Sequence, residues 1–316
     1  MRSLLNASIS ILLLGAALYL LDWESLYLAI QKVDLWAFGI AVLLILVIFS
    51  VLGVRWYRII QPVAPLSFTE HLRYFFYGLF LNSFTPANLG GDVYRIVSLK
   101  PSASSSLSIA LALIKERLCG LLAYLMAYLV CLSIFWSSEG ASLPHSANIF
   151  LYTGGVIVLA TAGLFFGPSH VLSFAMTFSW VQSRKPLHAT LGCMQAASRF
   201  KSFQEFVSLM GYSAVGILLW LLAVRIVALD LGLDISWSAL GAVVILVELI
   251  RLVPITLQGV GIREGAFAYL FKLLGESPET GFALGLVSYL ALSLAIVLSG
   301  LLGWGVPRFI QWSTVK

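Results

Sequence analysis

Charged residues are scarce in this sequence, and their scarcity excludes a soluble globular protein. Lysine, arginine, aspartate and glutamate make up 10% of the 316 residues, whereas hydrophobic residues make up 60% and the mean hydropathy is +0.98. A soluble chain of this length could not remove so much apolar surface from water. The composition predicts an all-α polytopic membrane protein, with a single integral membrane domain over residues 1–316 and no soluble domain.

Cysteine and histidine are also rare, which argues against metal or redox chemistry. The three cysteines and four histidines are scattered, without the paired spacings of a metal site and without an H-E-x-x-H sequence. A Walker A sequence is absent as well. We therefore expect no metal or other cofactor.

Six apolar stretches are long enough to cross a bilayer, whose hydrocarbon core requires about 20 apolar residues per helix. The first follows Arg2, as a signal peptide would, but no small-residue cleavage site comes after it, so we expect it to be retained. The six stretches are residues 4–21, 35–54, 107–136, 150–167, 207–229 and 281–306.

The basic residues indicate the orientation of the chain. One topology places most of them on the same side and leaves Lys32, Lys272 and most acidic residues on the other. By the positive-inside rule the basic side is cytoplasmic, with both termini inside. The net charge of +5 is thus an orientation signal, and we expect no nucleic-acid binding. The basic side receives Arg2, Arg55, Arg58, Arg73, Arg95, Lys100, Arg184, Lys185, Arg199, Lys201, Arg308 and Lys316.

Two regions fit this topology only if they enter the membrane without crossing it. Residues 68–100 begin and end among cytoplasmic charges, and residues 237–275 begin and end outside; each contains an apolar run broken by proline and glycine. Irregular backbone at membrane depth must be buried in protein or line a wet cavity, because lipid cannot hydrogen-bond its polar groups. We therefore predict two oppositely entering re-entrant helical hairpins.

Such a pair of hairpins is typical of an inverted repeat whose broken helices meet at a substrate site. With the six spans it gives about six transmembrane helices plus two re-entrant hairpins. The alternative is that these regions span the membrane, which gives about eight crossings. Residues 168–206 mix aromatic and basic side chains, and part of this cytoplasmic segment is expected to lie in the headgroup plane as an amphipathic helix.

The turn of the first hairpin carries polar groups suited to an anionic headgroup. Proline and paired glycines break the helix there, and a helix restarting after Gly91 would direct its positive N-terminus to that point. We expect Asp92 to cap this helix and Arg95, one turn on, to face the same side. The candidate substrate-binding residues of this turn are Asn82, Pro86, Asn88, Gly90, Gly91, Asp92 and Arg95.

A second charged group, Lys115-Glu116-Arg117, lies in the third apolar stretch. Consecutive helical residues point about 100° apart, so the three side chains cannot all face one cavity. Arg117 is expected to lie deepest and to bind substrate, with Glu116 as a counter-charge or proton relay. A buried ion pair that only fixes helix packing is the alternative interpretation.

A third group begins with Glu248 and Arg251, one helical turn apart, and continues through the break that starts at Pro254. Its order of helix, proline, glycine pair and then arginine and acid echoes the first hairpin. We expect the four arginines of these groups, Arg95, Arg117, Arg251 and Arg263, to reach one central cavity, with Asp92, Glu116, Glu248 and Glu264 as counter-charges or proton relays. The substrate-binding candidates here are Arg251, Gln258, Gly259, Gly261 and Arg263.

Together these motifs resemble the flippase-like transmembrane domain of lysylphosphatidylglycerol synthases, which also occurs in stand-alone membrane proteins. The resemblance lies in the Asn82 to Arg95 segment, in Glu116-Arg117 and in the run from Gly259 to Gly265, and its layout covers nearly the whole chain. It implies transfer of a lipid from the inner to the outer leaflet of a bacterial or archaeal cytoplasmic membrane. The aminoacyl-transferring members carry a large soluble domain after the membrane part, so we expect a stand-alone member, with its lipid undetermined.

The leading hypothesis is therefore a flippase, not an enzyme, that moves an anionic phospholipid or isoprenoid-phosphate-linked lipid between leaflets. Arginine suits a phosphate because its guanidinium stays charged when buried and binds two oxygens at once. An integral-membrane transferase acting on a lipid-linked substrate is one alternative, although the short outer loops leave little room for its chemistry. A non-transporting partner of a lipid-modifying enzyme is the other. The oligomeric state is open.

Overall fold

The protein is all-helical over the part of the chain that the structure, a computed structural model, describes: residues 15, 19, 21–85, 89–103, 105–139, 202–251, 256 and 259–304. No strand occurs within these ranges. The helices are α1 (Trp23–Gln31), α2 (Leu35–Ile60), α3 (Phe68–Asn82), α4 (Gly90–Leu99), α5 (Ser106–Glu139), α6 (Phe203–Asp230), α7 (Trp237–Ile250), α8 (Ile262–Leu273) and α9 (Pro278–Trp304). The predicted fold class is confirmed.

Helices α2, α5, α6 and α9 are long and apolar enough to cross a membrane. They match four of the six predicted stretches, which makes the protein a polytopic membrane protein. Of the other two, residues 150–167 lie outside the described residues and residues 4–21 lie mostly outside them. The predicted cytoplasmic segment 168–206 also falls almost wholly outside.

Helix α2 runs six residues beyond the predicted stretch 35–54. None of residues 55–60 is a helix breaker. The helix ends just before Pro62, because proline has no N–H to continue the helical hydrogen bonds. The extension makes Arg55 a buried residue in the body of the protein. Its assignment to a cytoplasmic loop was therefore wrong.

Acidic residues meet at one end of the molecule, which we call the acidic end. The Asp34 N–H donates to Asp230 Oδ2 at 2.7 Å, and the Asp22 N–H donates to Glu279 Oε1 at 3.5 Å. Because Asp34 precedes α2 and Asp230 ends α6, these two packed helices are antiparallel. The start of α9 lies at the same end.

The first helix pair, α3 and α4, begins and ends at the opposite end, which we call the basic end. The Phe68 ring at the start of α3 lies 5.1 Å from the Tyr57 ring near the end of α2, and Leu99 at the end of α4 shares a buried cluster with Ile60. At 1.5 Å per residue, α3 and α4 are roughly 22 and 15 Å long. Both are shorter than a hydrocarbon core of about 30 Å.

The second pair, α7 and α8, begins and ends at the acidic end. The Arg225 guanidinium near the end of α6 lies 5.6 Å from the Trp237 ring that starts α7, and Leu274, just after α8, packs with Phe135 and Ala239. These helices are also short, roughly 21 and 18 Å. Entry of either pair into the bilayer without crossing it stays a prediction.

The two halves of the described chain repeat one order of helices: long, short, short, long. Helices α2 to α5 form the first half, and α6 to α9 form the second. The first short helix of each half packs on the last long helix of the other, α3 on α9 and α7 on α5, and α2 packs on α6. Since α2 and α6 are antiparallel, this exchange of partners matches the arrangement that an inverted repeat predicts.

This geometry makes a topology test direct. If both pairs return to the end where they start, a tag inserted after Lys100 and one at Lys316 should report the cytoplasm, while tags near Ser142 and Ser277 should report the exterior. Reporter fusions or cysteine labelling in intact cells would measure this. A cytoplasmic signal at Ser277 would contradict the second hairpin as drawn.

Candidate functional site

Helices α3 and α4 meet at two glycines. A Cβ atom added to Gly91 would lie 1.9 Å from the backbone oxygen of Gly78, so a side chain cannot fit there. The Gly91 N–H donates to Asn82 Oδ1 at 2.7 Å, and the Gly90 N–H donates to Thr85 Oγ1 at 2.8 Å. These amide groups at the start of α4 are thus bound within the hairpin itself.

Asp92 does not cap α4, contrary to the expectation from the sequence. The N-cap position is Leu89, which makes no side-chain hydrogen bond, and Asp92 lies inside the first turn. Its carboxylate accepts hydrogen bonds from Arg95 Nη2 at 2.7 Å and from Arg117 Nε at 2.9 Å. A buried carboxylate gains more from such charge-assisted hydrogen bonds than from neutral N–H groups.

Arg95 is the centre of this first ion network. Its side chain is almost fully buried, with Nη1 donating to Glu116 Oε2 at 2.8 Å and Nη2 to Asp92. The guanidinium also stacks over the Trp56 ring at 4.4 Å. Arg95 therefore joins α4 to α5 and to α2 through three partners.

The ranking of Arg117 above its neighbours in the Lys115-Glu116-Arg117 group does not match their burial. Glu116 is buried, whereas the Arg117 side chain is 47% exposed and bonds to Asp92 from the periphery. Lys115 faces another way and pairs with Glu205 of α6 at 2.7 Å. The angle between consecutive side chains separates the three, and Glu116 is the one that faces the interior.

Arg55 extends the network to a third long helix, and the sequence did not single it out. Its Nη2 lies 3.9 Å from Glu116 Oε1, and its Nη1 donates to Ser213 Oγ of α6 at 2.7 Å. Gly120 on α5 leaves room for this guanidinium. The sequence signal that could have identified Arg55 was a charged residue directly after a long apolar run, with no helix breaker between them.

A second ion network lies at the second hairpin. Arg251 donates through Nε and Nη2 to Glu248 Oε2, at 3.0 and 2.5 Å. Arg263 Nη2 reaches Glu248 Oε1 at 3.5 Å, and its guanidinium lies 5.2 Å from the Tyr289 ring. The expected pairing of Glu248 with arginines is thus present, with Arg263 held more loosely than Arg251.

The break before α8 is built differently from the first one. Gly259 and Gly261 have φ angles of +79° and +84°, which side chains rarely adopt. Glu264 Oε2 accepts a hydrogen bond from the Gly261 N–H at 2.7 Å, so here an acidic side chain does bind the start of the restarted helix. The predicted site residues Pro86, Asn88 and Gln258 lie outside the described residues.

A cavity of about 200 Å³ lies between the two ion networks. Arg55 and Ser213 line it from the first network, and Glu248 and Arg251 line it from the second. The remaining walls are mostly apolar and aromatic, and they belong to α2, α5, α6 and α9. A polar group within this cavity would meet guanidinium groups from both halves of the chain.

The single cavity expected to gather four arginines receives only one of them. Arg251 lines it, but Arg95, Arg117 and Arg263 do not, and Arg55 takes their place. Arg95 is turned towards its two carboxylates, and Arg117 lies near the surface. Side-chain direction, which spacing along the chain cannot specify, decided which charges face the cavity.

The helices, the paired halves and the buried ion networks define a polytopic membrane protein with a mostly apolar cavity between two charged clusters. Residues 3–300 match the family described as the lysylphosphatidylglycerol synthase TM region, and the chain belongs to this family. It is thereby placed among membrane proteins associated with lipid metabolism. It is also similar to a UPF0104 membrane protein of Methanocaldococcus jannaschii, at 28% identity over 229 residues, which cover 70% of this chain and 92% of the relative. No solved structure matches the chain significantly.

The close contact between Gly91 and Gly78 predicts that a methyl group at position 91 destabilises the protein. Gly91→Ala should lower the melting temperature of the detergent-purified protein, with a cost of about 2 kcal/mol or more, because the added Cβ must push α4 away from Gly78. Gly39→Ala in α2 is the matched control, since its Cβ would meet no atom within 4 Å. Equal melting temperatures for the two variants would contradict the contact.

The first ion network predicts that Glu116 matters more for stability than Arg117. Glu116→Gln should cost about 3 kcal/mol, because it removes the buried negative charge between two arginines. Arg117→Gln should cost about 1 kcal/mol or less, because the Arg117 side chain is half exposed and Asp92 still has its ion pair with Arg95. Thermal unfolding in detergent would measure both, and the reverse order would show that Glu116 is not central.

Proposed function

We propose that the protein moves an anionic lipid between the two leaflets of the cytoplasmic membrane. The observation that carries the proposal is the central cavity, where Arg55 and Arg251 lie among mostly apolar and aromatic walls. Arginine stays charged in such surroundings and can donate two parallel hydrogen bonds to a phosphate. The cavity therefore offers an anionic headgroup a favourable place within an otherwise apolar protein.

The size of the cavity suits a headgroup and not a whole lipid. Its volume of about 200 Å³ is below the range of roughly 300–1,000 Å³ that is common for pockets enclosing drug-sized ligands. A headgroup with one phosphate would occupy it while the hydrocarbon chains stay in the surrounding bilayer. The hydrocarbon chains then stay out of water throughout the transfer, which avoids the free-energy cost of hydrating them.

Arg263 is a stronger phosphate-binding candidate than Arg95. Arg95 donates to Asp92 and Glu116 at short distances, which leaves only its Nε unpaired. Arg263 is 1% exposed, and its Nε and Nη1 have no hydrogen-bond partner among the described residues. A buried donor left without an acceptor costs about 1–3 kcal/mol. Arg263 does not line the cavity, but a phosphate that reached it would gain more there than at Arg95.

The proposal includes the two short helix pairs as re-entrant hairpins that enter the bilayer from opposite faces. Their lengths support it, as does the return of each pair to the end where it begins. In transporters built from inverted repeats, broken helices of this kind meet around the substrate. The basic end would then be cytoplasmic, with both termini inside, and the protein would act as a transporter rather than as an enzyme.

Leaflet exchange in proteoliposomes tests the proposal. Purified protein in phosphatidylcholine vesicles should accelerate the exchange of labelled phosphatidylglycerol, read by chemical quenching of the outer-leaflet label. Arg55→Lys and Arg251→Lys should each lower the rate per folded molecule about tenfold, because lysine keeps the charge but loses the planar pair of donors.

The matched control is Arg58→Lys, because Arg58 lies on the same helix as Arg55 but its side chain is on the protein surface. It should exchange lipid at the wild-type rate. Normal exchange by Arg55→Lys and Arg251→Lys would show that the cavity does not bind the headgroup. A covalent lipid product in place of exchange would favour the transferase.

A further inference from the structure

Glu264 differs from the three other carboxylates of the ion networks. Asp92, Glu116 and Glu248 each accept a hydrogen bond of 3.0 Å or less from an arginine. Glu264 instead binds the Gly261 N–H through Oε2. Its Oε1 is buried and has no hydrogen-bond partner in the described part of the chain, although the residue is only 1% exposed.

Two buried hydroxyl oxygens, one on α9 and one in the break before α8, also lack a hydrogen-bond partner within the described residues. A Cβ atom added to Gly285 of α9 would lie 3.2 Å from the Glu264 Cα atom, so this face of α9 packs against Glu264. Ser288 is on the same face of α9, one turn further on, and its Oγ is buried without a partner within the described ranges. Thr256 Oγ1, in the break before α8, has none there either.

The charges around Glu264 are balanced when its carboxylate is ionised. Arg263 neighbours it on α8, Glu248 and Arg251 lie at the end of α7, and Tyr289 faces Arg263 from α9. Two arginines thus meet two carboxylates in this second network. A proton on Glu264 would leave one positive charge in excess, beside the unpaired nitrogens of Arg263.

We propose that Glu264 is the binding site for a proton that crosses the membrane together with the anionic headgroup, a proposal that rests on the lipid transport proposed above. The proton comes from water at one face and forms an O–H bond at Oε1. The new hydroxyl donates to an oxygen that now lacks a donor, such as Ser288 Oγ. The proton is released to water at the other face.

Charge balance links the two ligands. Protonation adds one positive charge to the second network, and a phosphodiester headgroup brings one negative charge, so each ligand favours the binding of the other. Together they carry no net charge through the apolar protein. Protonation also weakens the hold of Glu264 on the Gly261 N–H, because the hydrogen bond loses its ionic acceptor.

Infrared difference spectroscopy on the detergent-purified protein tests the proton site without any lipid movement. A step from alkaline to acidic pH should produce the C=O stretching band of a buried carboxylic acid in the wild type. The band should vanish in Glu264→Gln and persist in Glu70→Gln, whose side chain is on the surface. A band that persists in Glu264→Gln would overturn the site.

Proteoliposomes with a pH gradient test the coupling. Labelled phosphatidylglycerol should accumulate in the leaflet on the alkaline side in the wild type and in Glu70→Gln. Glu264→Gln should still exchange lipid, but the gradient should no longer bias its distribution. An equal bias in Glu264→Gln would overturn the coupling.

The two measurements separate the failure of this inference from that of the function. If the wild type moves no labelled lipid at any pH, lipid transport and its coupling are both wrong, and the infrared band alone decides whether Glu264 binds a proton. If lipid moves but ignores the gradient, transport stands and the coupling is overturned.

Discussion

The pairing of charge inside an apolar protein is the constraint on which this structure depends. A charged side chain at the centre of a membrane helix costs roughly 2.5–3.5 kcal/mol on insertion scales. Here the buried arginines pair with carboxylates one turn away and on neighbouring helices, so that Arg95 joins Asp92 to Glu116 and Glu248 lies between two arginines. The ion networks therefore hold the helices in register while keeping the charges that a phosphate would recognise.

The two networks use different chemistry at equivalent places. In the first hairpin the amide groups at the start of α4 are bound by Asn82 and Thr85, and Asp92 is left to the arginines. In the second, Glu264 binds the Gly261 amide and leaves Arg263 short of acceptors. The first hairpin is thus closed on itself, and the second keeps unpaired polar atoms.

Sequence reasoning identified the charged positions better than their roles. It expected Asp92, Glu116 and Glu248 to act as counter-charges, and each does pair with arginine. It placed Arg55 in a loop, because a span of ordinary length ends before it, although the helix continues to Ile60, just before Pro62, which lacks the N–H to extend it. It ranked Arg117 above Glu116 by depth along the helix, where the direction around the helix axis decides exposure.

The sequence by itself determined that the chain is an all-helical membrane protein with broken apolar helices and a few embedded charges, because hydropathy and helix breakers act locally along the chain. Only the tertiary structure decided which charges meet. Arg55 contacts Glu116 and Ser213 across 61 and 158 residues respectively, and its cavity is shared with Arg251. Such contacts depend on how antiparallel helices pack and on where each side chain points, and neither is encoded in local spacing.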